Sequence, residues 1–95
     1  MATLLPNTYK VHSLERAARR LQWRSIESQD NLMLKWLIAD CNKNEYEITF
    51  HKLSGKVYVE SLKTVTPKQL DITQQQVQSI LNFEEQYVNQ TNRIR

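Results

Sequence analysis

The sequence predicts an α+β fold in the order α-β-β-β-α, a three-stranded antiparallel meander with two helices packed on one sheet face. Residues 13–22 repeat apolar side chains at helical spacing. Residues 32–63 alternate them at strand spacing around the only glycine of the chain. Residues 74–90 return to the helical period. At 95 residues the chain is expected to form a single small domain, with residues 1–12 and 90–95 flexible.

The first helix is expected near 14–22, with Ser13 as its N-cap. Leu14, Ala17, Ala18 and Leu21 fall at i, i+3, i+4 and i+7, one apolar stripe on a helix too short to stand alone in water. Trp23 ends it, and "RSIESQDN" reads as a polar connection. A strand near 32–39 follows, with Leu32, Leu34, Trp36 and Ile38 on one face and Met33, Lys35, Leu37 and Ala39 on the other.

The next two strands, near 46–53 and 56–63, read as a hairpin. Tyr46, Ile48 and Phe50 alternate with Glu47, Thr49 and His51, and Ser54-Gly55 supplies a two-residue turn needing positive φ. That turn would set Phe50 opposite Val59 and place Val57 and Val59 on the face of Ile48 and Phe50. Thr66-Pro67-Lys68-Gln69 offers a capping box with proline at the first helical position. One turn is expected at 67–70, then a second capping box at Thr73 and a long helix over 74–90. Its stripe is Val77, Ile80, Leu81, Tyr87 and Val88, with Glu84 set in the middle of it.

Composition narrows the function. One Gly and two Pro disfavour a Gly-lined phosphate loop and a loop-rich barrel. A net charge of +3 is only mildly basic for a dedicated nucleic-acid binder. The lone Cys41 leaves no disulfide framework and no Cys-based metal site. His12 and His51 have no nucleophile or metal-spaced partner beside them, so no catalysis and no cofactor are expected. The opening "MATLLPNTYK" lacks a signal-peptide pattern and no apolar run is long enough to span a bilayer, so the chain is read as cytoplasmic, with no membrane partner.

Two surfaces remain. The outer sheet face carries Met33, Leu37, Tyr58 and Leu62, too apolar a set for a face meant only for water. With Glu84 it forms the candidate interface to another protein or to a second copy of the chain. Glu84 has a second reading, as the partner of a first-helix arginine at the rim of the core. The other surface is the first helix, where Lys10, Arg16, Arg19, Arg20 and Arg24 stand against Glu15 alone. That cluster is the alternative, a nucleic-acid surface.

In element order the predicted arrangement is similar to the double-stranded RNA-binding domain. That fold typically begins its second helix with a lysine-rich, phosphate-contacting stretch. Here the corresponding residues, "DITQQQVQ", contain no cation, so the similarity stops at topology.

Overall fold

A computed structural model describes residues 2–93, with side chains described through residue 89. The fold is α+β, and its antiparallel sheet has five strands rather than three. In chain order the elements are β1 (Thr3–Thr8), α1 (Val11–Leu21), β2 (Arg24–Ile26), β3 (Met33–Ala39), β4 (Glu45–His51), β5 (Lys56–Ser61) and α2 (Pro67–Arg93). The sheet order is β1-β5-β4-β3-β2. The three expected strands are its centre, and α1 carries the chain across the sheet from one edge to the other.

Both added strands lie at edges, where local signals are weakest. The segment expected to be irregular forms β1, which pairs with β5 through Thr3↔Val59 and Leu4↔Tyr58 and then shifts register before Thr8↔Lys56. Pro6 sits within that irregularity. An edge strand has one unpaired side and tolerates a residue with no N–H, so proline does not stop the pairing. The expected polar connection contains β2, three residues set against β3 by Arg24↔Leu37, Ser25↔Trp36 and Ile26↔Lys35. With β1 ahead of α1 and β2 after it, the likeness in element order to the double-stranded RNA-binding domain no longer holds.

The β4–β5 hairpin is real, but its register differs by two residues from the expected one. Phe50 pairs with Val57 and Ile48 with Val59. The loop is therefore longer than Ser54-Gly55. Gly55 donates its N–H to the His51 carbonyl at 2.8 Å and adopts φ +75°, closing a wider turn. A slip of two leaves every side chain on its predicted face, because the side-chain period of a strand is also two. Tyr46, Ile48, Phe50, Val57 and Val59 are all buried together as expected.

α1 begins three residues earlier than predicted. Lys10 occupies the N-cap position without a side-chain cap, and Ser13 is buried inside the helix. The capping group comes from α2 instead. The Glu85 carboxylate accepts from the Lys10 backbone N–H at 3.2 Å and from the Ser13 hydroxyl. A carboxylate there satisfies open N–H donors and complements the positive end of the helix. At the other end, Gln22 takes the left-handed conformation and Trp23 donates its N–H to the Ala18 carbonyl.

α2 runs unbroken from Pro67, so the expected single turn and the long helix are one element. The Thr66–Gln69 capping box forms, with reciprocal bonds of 3.1 and 3.3 Å. Thr73 does not cap; it is buried within the helix. The tail expected to be flexible from residue 90 is helical as far as Arg93, and residues 94–95 lie outside the described residues.

One core joins both helices to the same sheet face. Leu14, Ala17 and Ala18 of α1 and Val77 and Leu81 of α2 pack with Trp36, Tyr46, Ile48, Phe50, Val57 and Val59, and with Leu5 and Tyr9. Leu34, Ile38 and Ile80 are partly buried at its margin. Leu21, expected in the core, is exposed at the last turn of α1. No helix among the described residues is long and apolar enough to cross a membrane.

Candidate functional site

The outer sheet face is built from residues that alternate with the core. From the register, Ile26, Lys35, Thr49, Tyr58 and Leu4 form one row across all five strands. Arg24, Leu37, Glu47 and Glu60 form the next, and Met33 and His51 a third. Because the buried residues of both helices join the core on the other side, this face has no helix layer among the described residues. Met33, Leu37 and Tyr58 are half-buried by their sheet neighbours, while Leu4 is exposed and so is Leu62, one residue past β5. The His51 and Tyr58 rings pack with centroids 4.9 Å apart, and Lys35 pairs with Glu47 at 3.1 Å. The face thus mixes apolar side chains with charged ones, and Lys35–Glu47 is an ion pair on it.

Four of the five residues expected at this interface, Met33, Leu37, Tyr58 and Leu62, are thus brought to the same side. Glu84 is not. It is 1% exposed, on the buried stripe Val77–Leu81–Glu84–Val88 of α2. Its carboxylate accepts from Arg16 Nε at 3.2 Å and from Arg20 Nε at 2.7 Å. Of the two readings of Glu84, the pairing with first-helix arginines is the one formed, and the residue is unavailable to an outside partner. Two charge-assisted hydrogen bonds let a carboxylate occupy the apolar stripe.

The basic set divides. Arg16, Arg19 and Arg20, at i, i+3 and i+4 on α1, surround a recess of about 170 Å³ floored by Glu84. Arg24 is carried away by β2 to the outer sheet face, in register with Leu37. Lys10 stands at the opposite end of α1, its Nζ donating to Asn89 Oδ1 at 2.7 Å. Two aromatic residues of α2 complete the seam. The Arg16 guanidinium carbon lies 4.0 Å from the centroid of the Tyr87 ring and that of Arg20 lies 5.4 Å from the centroid of the Phe83 ring. Tyr87, expected on the buried stripe, is 48% exposed, and Phe83 is 58% exposed. Phe83 could have been found from sequence, as a large apolar residue one position off the stripe.

Near the β3–β4 turn, the Asp40 carboxylate gathers the Asn42 and Asn44 backbone N–H groups at 2.8 and 2.9 Å and the Asn44 amide and Tyr46 hydroxyl at 3.1 and 3.0 Å. Desolvation acts to raise its pKa, but these donors together outweigh it and hold the carboxyl below its ordinary value. Burial raises the Tyr46 hydroxyl, Thr73 lowers it and the neighbouring Asp40 raises it further, for a net rise. A cleft of about 470 Å³ opens beside this turn, walled by Trp23, Ile38, Val77 and Ile80. Of the two carboxylates that line it, Asp40 is committed to holding the turn. Cys41 is exposed, and His12 reaches Glu15 at 3.5 Å on the surface of α1. No family model, no curated protein and no solved structure matches this chain.

Proposed function

We propose that the protein is a small non-catalytic interaction module that binds another protein, in the simplest case a second copy of itself, through the outer face of its sheet. The observation carrying this reading is that both helices are spent on the opposite face, leaving Leu4, Ile26, Met33, Leu37 and Tyr58 in adjoining rows with no helix over them among the described residues. Apolar and aromatic centres with a charged rim are the usual composition of such surfaces.

A second copy is the simplest occupant, since a two-fold axis along the strands between β3 and β4 would lay Ile26 of one copy over Tyr58 of the other. Molecular mass measured by light scattering across a protein dilution series tests this. The wild-type chain is expected to dimerise, and Leu37→Ser with Tyr58→Ser to remain monomeric with unchanged circular dichroism. A wild-type monomer throughout the series would end the self-association reading. An unfolded double variant would mean that this face contributes to the core.

A further inference from the structure

The seam between α1 and α2 lies on the opposite side of the molecule from the outer sheet face, and its chemistry is different. We propose that it binds single-stranded nucleic acid, with Arg16, Arg19 and Arg20 on the phosphodiester backbone and Phe83 and Tyr87 as platforms for two bases. This proposal is independent of the sheet-face reading.

Four observations converge. First, the recess holds three guanidinium groups and one carboxylate, an excess of two positive charges around a volume of about 170 Å³, enough for one phosphate group. Second, Glu84 is 1% exposed and engages both Arg16 and Arg20 through Nε. These contacts anchor both side chains at Nε, and each stays partly open to solvent, 39% exposed for Arg16 and 48% for Arg20. The arginines are therefore held before any ligand arrives, which reduces the ordering cost of binding.

Third, Phe83 and Tyr87 are one helical turn apart on α2, about 6 Å along its axis, and more than half and nearly half exposed. That spacing suits consecutive bases of an unstacked strand, and an exposed ring stacks any base. Fourth, each ring is already in contact with one of the two anchored guanidiniums, so cation and aromatic surface form a single strip. An acidic protein segment would use the arginines but has no equal need of two ring faces. The rings decide for a nucleic-acid strand.

The test is fluorescence anisotropy with labelled oligouridylate and oligothymidylate, using the full chain, with a labelled polyglutamate peptide as a third probe. Three phosphate contacts on a single strand predict that affinity falls about twentyfold between 50 and 200 mM salt. Arg19→Glu, at an exposed position on the same recess but outside the described Glu84 bonds, should weaken binding and make the salt dependence shallower. Phe83→Ala should weaken it about fivefold or more while leaving the salt dependence unchanged, since stacking releases no counterions. Thermal melting of both variants checks that the fold persists; if Phe83→Ala melts early, Tyr87→Ala takes its place.

No binding of either oligonucleotide at 50 mM salt would overturn the proposal. So would affinity unchanged by Arg19→Glu and by the ring variants. Tighter binding of polyglutamate than of the oligonucleotides would likewise overturn it, in favour of an acidic protein partner.

Discussion

Glu84 on α2 and Arg20 on α1, 64 positions apart in the chain, meet at 2.7 Å with the carboxylate almost wholly buried and the guanidinium half in solvent. The pair, joined by Arg16, ties the two helices together at the only acidic position of the α2 stripe. Its energetics are asymmetric. Removing the carboxylate releases two arginines that water can reach, whereas removing both arginines strands a buried charge. Arg16→Ala with Arg20→Ala is therefore expected to cost about 3–5 kcal/mol in chemical denaturation. Glu84→Leu, which completes the apolar stripe, should change stability by far less. Equal losses in the two variants would show that the pair contributes net stability beyond satisfying its own burial.

The centre of the sheet depends on Phe50, fully buried between its register partner Val57 on β5 and Leu34 on β3. Phe50→Ala should destabilise the domain by about 3–5 kcal/mol through lost burial and the cavity left behind. For a single domain of this size that is a large part of the total. Urea unfolding followed by tryptophan fluorescence measures it, and an unchanged midpoint would contradict the packing described.

Gly55 is held by two independent constraints. Its φ is +75°, and an added Cβ would lie 2.8 Å from the Tyr9 carbonyl oxygen, whose residue also donates its N–H to the Gly55 carbonyl at 2.9 Å. Gly55→Ala is expected to lower stability by about 1–3 kcal/mol, from strain at the turn and displacement of the β1–α1 junction. An Ala variant as stable as the wild type would show that this junction yields at little cost.

Stability should depend on pH at both ends of the scale. The folded state holds Asp40 below its ordinary pKa of 3.8, so its contribution is present above that value and fades as pH falls through the lower folded value. The folded state raises Tyr46 above 10.0, so its contribution is complete below pH 10 and is lost as pH rises through the folded value. Asp40→Asn should flatten the acid limb of a melting-temperature profile, and Tyr46→Phe the alkaline limb. An acid limb untouched by Asp40→Asn would assign that loss to other carboxylates.

Local pattern made much of this legible. The alternation of Tyr46, Ile48 and Phe50, and of Val57 and Val59, identified the buried face without any knowledge of partners, because a strand's period is written in consecutive residues. Thr66, Pro67 and Gln69 marked the start of α2 for a similar reason: a capping box closes within four residues. Glu84 was visible as a charge on an apolar stripe, and its need for a cationic partner followed from the cost of burying it alone.

What tertiary structure decided was every question of neighbourhood. The two-residue shift of the β4–β5 register is invisible to a period-two pattern, since both registers bury the same side chains. β1 carries a proline, and β2 is three residues long; each exists because a distant strand offers it hydrogen bonds. Glu85 caps α1 from 72 positions away, a contact the local sequence of α1 cannot announce. The arginines were countable in the sequence, but β2 moved Arg24 to the sheet while α2 gathered Arg16, Arg19 and Arg20 beside Phe83 and Tyr87. The sequence by itself determined which side chains face inward, because that is a property of local periodicity. Which surfaces meet, and which are left over, was settled only by long-range pairing, where hydrogen bonds and buried charge select one arrangement among several with the same pattern.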